Sequence, residues 1–135
     1  MFVLRAERAT GHGVEGEALV SLDAIHFTMD IDPVSGIVTG KGHSLHGKSI
    51  VDKILVIAGA KGGIASASAI LELVGNGCGP KGLLYRRTNP VMVQGAIVAG
   101  IPCMDGFELD PVESIKSGDW LRVRPGDRVV EIIRE

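Results

Sequence analysis

The chain has 135 residues, of which 45% are hydrophobic and 22% charged, with a formal net charge of −2. That length fits one compact domain, taken as residues 1–135, and that balance suits a water-soluble core. The basic footprint of a nucleic-acid binder is absent, and no apolar run reaches the roughly 18 residues that a membrane-spanning helix needs.

Arg5, Glu7 and Arg8 do not suit a signal peptide, so a cytoplasmic location is expected. Nineteen glycines are scattered along the chain and aromatic residues are only 4%. A domain of many tight turns follows, with a core built from Val, Ile, Leu and Ala.

In chain order, residues 2–8 and 16–21 read as strands, separated by a turn region holding Gly11, Gly13 and Gly16. Residues 25–29 form a candidate extended piece. Asp32-Pro33-Val34-Ser35-Gly36 is a turn by composition, and residues 37–39 a short strand after it. The apolar run 53–58 predicts a buried strand, followed by a helix over 65–74 that Gly75-Asn76-Gly77 stops. A second buried strand is expected at 81–85, and a second helix at 91–99 with Pro90 at its first position. Residues 111–116 suggest a helical turn, and 120–123 with 128–133 a closing hairpin around Pro125-Gly126-Asp127. The order predicts an α/β domain: a mixed sheet or partly closed barrel with two main flanking helices.

The segment GAKGGIASAS at 59–68 runs from a buried strand into a helix. Its glycines permit close backbone approach, and the free N–H groups of a first helical turn attract an anion. Lys61 adds positive charge; Ser66 and Ser68 add hydroxyls, or serve simply as helix caps. The spacing fits neither a P-loop nor a dinucleotide fingerprint. Arg86 and Arg87 follow the second buried strand. If the two strands are parallel neighbours, this pair converges with Lys61 on one rim, where arginine can grip a carboxylate or phosphate; otherwise it is a solvated pair. The expected substrate-binding set is Lys61, Gly62, Gly63, Arg86 and Arg87, with Ser66 or Ser68 as catalytic hydroxyl.

His43 and His46 are three residues apart but have no evident third ligand, so no metal site is assigned. His12 and His26 have no visible partner. Cys78 and Cys103 are the two cysteines, too few for the usual cysteine cage of an iron–sulfur cluster. This chain is therefore expected to carry no cofactor.

Several pieces together resemble the small subunit, or swivel domain, of the aconitase X family. They are Gly16-Glu17-Ala18-Leu19-Val20, Asp32-Pro33 with Gly36, and His43, Leu45, Gly47 and Ser49 in HSLHGKS. Lys61-Gly62, Asn89-Pro90 with Gly95-Ala96-Ile97, Ile101-Pro102, Asp110-Pro111 and Gly118-Asp119 complete the series. The resemblance implies a swivelling β/β/α fold and a large partner subunit that holds an iron–sulfur cluster. It implies a hydro-lyase that dehydrates a small hydroxy acid, inactive without its large subunit. The cluster iron would act as Lewis acid on the leaving hydroxyl, and a serine of this subunit would take the proton from the neighbouring carbon. The family pattern has that serine directly after the glycine, where this chain has Gly63, so the first hydroxyl comes only at Ser66. The alternative reading is a non-catalytic swivel module that binds anions, regulates, or carries a phosphoryl group on His43 or His46.

Overall fold

The structure, a computed structural model, describes residues 1–134. Nine strands and three helices follow one another as β1 (Phe2–Thr10), β2 (Val14–Ser21), β3 (Ile25–His26), β4 (Ile54–Ile57), β5 (Ala60–Lys61), α1 (Ile64–Gly75), β6 (Gly82–Tyr85), α2 (Pro90–Ala99), β7 (Cys103–Phe107), α3 (Pro111–Ser114), β8 (Trp120–Arg124) and β9 (Val129–Ile133). Seven of them close a barrel in the order β1-β7-β6-β4-β2-β8-β9, with β9 pairing back onto β1. The mixed sheet foreseen from the sequence is thus fully closed. Closure leaves no unpaired edge in that sheet.

The pairs β2–β4, β4–β6 and β6–β7 are parallel, whereas β1–β7, β2–β8, β8–β9 and β9–β1 are antiparallel. The parallel half is the part covered by α1 and α2. A strand's side chains alternate between its two faces, and β4 shows the consequence. Ile54 and Val56 enter the barrel beside Leu4, Leu84, Met104, Leu121 and Val130. Leu55 and Ile57 face outward into a second core with Leu83, Tyr85, Ile70, Leu73, Met92 and Ala96. Both faces are buried, which is why β4 and β6 read as continuous apolar runs.

Local chemistry sets the ends of α2. The Asn89 side chain accepts from Met92 N at 3.1 Å, Pro90 sits at the first position, and Gly100 ends the helix in the left-handed conformation at φ 77°. Asp110 caps the short α3 by accepting from Val112 N at 2.9 Å. The hairpin β8–β9 turns through a 3-10 segment at Pro125–Asp127.

Two expectations require correction, and one strand was missed. Only Ile25–His26 of the 25–29 piece is a strand, because Met29 N and Asp30 N both return to the His26 carbonyl and form a turn. Residues 37–39 are not a strand; Ile37 and Val38 make isolated bridges to Ser49 and Ile31. The strand β7 was not anticipated, since Asp105 and Gly106 interrupt its apolar pattern. Asp105 is buried there because Arg8 of the neighbouring β1 grips it at 2.7 and 3.2 Å.

Candidate functional site

The chain leaves β4 at Ile57, adds the two-residue β5, turns at Gly62 and enters α1. Gly62 has φ +90°, a conformation that a side chain would strain. β5 lies parallel to β3, which places Ile25 opposite Ala60 and His26 opposite Lys61. The helix starts from Gly63 without a side-chain cap, so neither serine serves as one.

Ser66 is fully buried, and its hydroxyl donates to the Lys61 carbonyl at 2.6 Å. The bond folds the first turn of α1 back over Gly62. Ser68 lies elsewhere: it is exposed and lines the groove between α1 and α2. The two hydroxyls proposed from the sequence therefore have different surroundings, and only Ser66 belongs to the glycine corner.

Lys61 is exposed and lines a hollow of about 250 Å³ with Asp23, Asp30, Lys41 and His43. The Ser44 backbone N–H, 2.9 Å from Asp23 Oδ2, holds the Asp23 carboxyl below the usual carboxylate range. The Ser44 side chain adds to this, burial opposes it, and the Lys61 charge contributes a smaller favourable interaction.

The backbone at Arg86 and Arg87 does meet the glycine corner. β4 and β6 are parallel neighbours, and Arg86 N and Arg87 N donate to the carbonyls of Ile57 and Ala58 at 3.0 and 3.3 Å. The charges are another matter. The Arg86 guanidinium is held at 2.8 Å by Asp110, the cap of α3, and does not line the hollow of Lys61. Arg87 is exposed and makes no ion pair among the described residues. The expected single rim of Lys61, Arg86 and Arg87 is thus replaced by Lys61 in a polar hollow, Arg86 in a helix-cap pair, and Arg87 in solvent.

His43 accepts from Leu45 N on Nδ1 at 3.0 Å and donates from Nε2 to the Ala24 carbonyl at 3.1 Å. Both ring nitrogens serve the loop, so this ring offers no lone pair to a metal and no free nitrogen to a phosphoryl group. His46 Nδ1 lies 3.1 Å from the Gly40 carbonyl. Among the described residues, no three His, Cys, Asp or Glu side chains group as metal ligands.

Sequence reasoning overlooked His26. It is far from residue 61 in the chain, and only the two-residue β3–β5 ladder brings it beside Lys61 and Gly62. No local motif announces such a pairing.

Residues 3–132 match the family model described as the aconitase X swivel domain. The chain belongs to that family. The phosphomevalonate dehydratase small subunit of Methanocella arvoryzae is 37% identical over 129 residues, covering 96% of this chain and 98% of that protein. The same subunit from Methanosarcina acetivorans is 39% identical over 120 residues, covering 89% of this chain and 83% of that one. Among solved structures, the holo-form of Thermococcus kodakaraensis aconitase X superposes with a TM-score of 0.91 at 32% identity, covering 99% of this chain and 100% of that chain.

As an aconitase X swivel domain, this chain has cysteines that do not fit as iron–sulfur ligands. Both are buried. Cys78 Sγ lies 3.1 Å from the Pro33 carbonyl, to which its thiol donates. Burial, with Asp105 nearby, pushes the Cys103 thiol up to about 12, whereas cluster ligands must be thiolates. The swivel domain also carries an apolar groove of about 330 Å³ between α1 and α2, with Ile64, Leu71, Val91 and Val98 exposed on its walls. Ile64, on the wall of this groove, directly follows Gly63 in the chain. None of the helices among the described residues is long and apolar enough to cross a membrane.

Proposed function

We propose that this chain is the small subunit of a phosphomevalonate-type dehydratase, a cytoplasmic hydro-lyase that completes its active site only against a large subunit. The observation that carries this reading is near-complete coverage: a relative named phosphomevalonate dehydratase small subunit aligns at 37% identity over 96% of this chain and 98% of its own. The substrate is a hydroxy acid bearing a phosphate, so anion recognition is required at more than one point.

The large subunit supplies the iron–sulfur cluster, since the thiols here are unsuited to hold one. It docks on the groove between α1 and α2. Exposed apolar side chains lining a continuous surface are what such an interface needs. Docking there would enclose Gly62, Gly63 and Ser66 between the subunits.

Within that enclosure Lys61 attracts the anionic substrate, and the glycines allow it to approach the backbone. Ser66 is the hydroxyl that handles the proton of the carbon next to the departing hydroxyl. Its bond to the Lys61 carbonyl stabilises the protonated form. That bond must therefore open as substrate and partner arrive and the hydroxyl proton pass to solvent, after which Lys61 and the N–H groups of α1 favour the alkoxide, which takes the proton from carbon and becomes the hydroxyl again. Ser68 and the Arg86–Asp110 pair stand outside this chemistry, and Arg87 is available to the substrate's phosphate or to the partner.

The test is to combine the purified chain with the cluster-bearing large subunit encoded with it and to assay loss of water from phosphomevalonate. Turnover by the pair and none by either subunit supports the reading. A chain that leaves the large subunit inactive overturns it. The phosphoryl-carrier alternative loses one of its two candidates, because both nitrogens of His43 are engaged by backbone.

A further inference from the structure

The bare backbone of Gly62 faces two polar groups. A Cβ built at Gly62 would lie 2.5 Å from Ser66 Oγ and 3.3 Å from His26 Nε2. Both groups thus border one point in front of an exposed glycine. The backbone holds His26 in place: its N donates to Asp30 Oδ2 at 2.8 Å, and it pairs in register with Lys61. Its Nδ1 accepts, at 3.3 Å, from a Met29 N–H that is shared with the His26 carbonyl at 3.1 Å. An accepting Nδ1 leaves the neutral ring's proton on Nε2, so the nitrogen nearest Gly62 is a donor.

From this we infer that the bare backbone of Gly62 admits one anionic oxygen of the substrate, a niche in which His26 Nε2–H is the donor and Lys61, opposite His26 in the ladder, supplies charge, the Ser66 hydroxyl being kept for the proton. The inference rests on the reading of the chain as a dehydratase subunit and adds a residue to its site. Lys61 lies across the β3–β5 ladder from His26, and Asp30, in the same turn as His26, already accepts from the His26 backbone N–H; Asp23 and Lys41 line the same hollow as Lys61 and Asp30. The niche accepts a carboxylate or phosphate oxygen. It excludes any side chain at position 62.

Two experiments separate this inference from the reading beneath it. In the assembled enzyme, His26→Ala should raise KM by about tenfold or more, the value of one hydrogen bond to a charged group, with a smaller effect on kcat. His26→Gln, whose amide nitrogen can stand where Nε2 stands, should recover most of that loss, whereas His26→Asn should not. Equal losses in all three variants, or none in His26→Ala, would overturn the niche while leaving the dehydratase reading intact. The second experiment needs no turnover. The ring nitrogens of His26 are followed by NMR in the full chain as inorganic phosphate or acetate is added. The niche predicts that at least one anion moves Nε2, that the stronger one identifies the substrate group bound there, and that Gly62→Ala abolishes the shift. A resonance unmoved by both anions overturns the inference even if the assembled enzyme is active.

Discussion

The Ser66 hydroxyl gives its proton to the carbonyl of Lys61, 2.6 Å away, from a fully buried position at the start of α1. A residue exposed on one face of the corner is thereby tied to a buried one by a contact within the same turn. Ser66→Ala should therefore do two separable things. It removes one hydrogen bond, costing about 1 kcal/mol of stability. It also removes the hydroxyl proposed to handle the proton, lowering kcat of the assembled enzyme by about a hundredfold or more. Ser68→Ala should leave both quantities nearly unchanged. Urea unfolding of the chain and steady-state kinetics of the complex measure the two effects, and a large kcat loss in Ser68→Ala alone would exchange their roles.

Gly62→Ala should be poorly tolerated. A methyl group would meet Ser66 Oγ at 2.5 Å, and φ +90° would strain the new residue. A cost of about 1–3 kcal/mol is expected from the backbone conformation alone. Thermal unfolding checks this, with Gly63→Ala as comparison, because nothing lies within 4 Å of a Cβ there.

The barrel was largely legible in the sequence and the site only partly so. β4 and β6 stood out because burial on both faces leaves an unbroken apolar run. Asn89-Pro90 and Gly100 marked α2 because capping chemistry is local. β7 stayed hidden because its buried Asp105 has meaning only beside Arg8, about a hundred residues earlier. Likewise, Arg86 looked free to bind substrate until Asp110 came within 2.8 Å of it. His26 joined the site through a two-residue ladder with no sequence pattern of its own. The local capping of α2 was legible, the local turn after His26 was not, and partners distant in the chain came only from the structure.

Asp119 should control part of the acid stability. Its buried carboxylate accepts from Arg134 Nε and Nη2 at 3.0 and 2.7 Å, and from Lys116 N at 2.8 Å. The Arg134 hydrogen bonds are the largest cause holding this carboxyl below its usual range; burial opposes them, and the Lys116 N–H adds to them. A carboxyl depressed in the folded state binds its proton more readily when unfolded. Its contribution is therefore complete above the unfolded value of about 3.9 and is lost as pH falls through the lower folded value. Asp119→Asn should cost about 1–3 kcal/mol at neutral pH and make stability less sensitive to acid below about pH 4. Urea midpoints across that range measure it, and parallel curves for the two proteins would refute the assignment.

The apolar face should report on the partner. Leu71→Asp and Val98→Asp alter exposed positions, 44% and 61% accessible, so the isolated chain should keep its thermal midpoint within a few degrees. Both variants should bind the large subunit at least tenfold more weakly, because each places a charge in a desolvated contact. Calorimetric titration decides. Unchanged affinity in both would move the docking surface away from α1 and α2.

The most direct measurement is the stoichiometry of activation. A fixed amount of the large subunit is titrated with this chain while dehydration of phosphomevalonate is followed. The account predicts a rate that rises from none and levels off at one chain per large subunit, and that stays near zero when the Ser66→Ala variant is supplied instead. A large subunit already at full rate before any chain is added would contradict it.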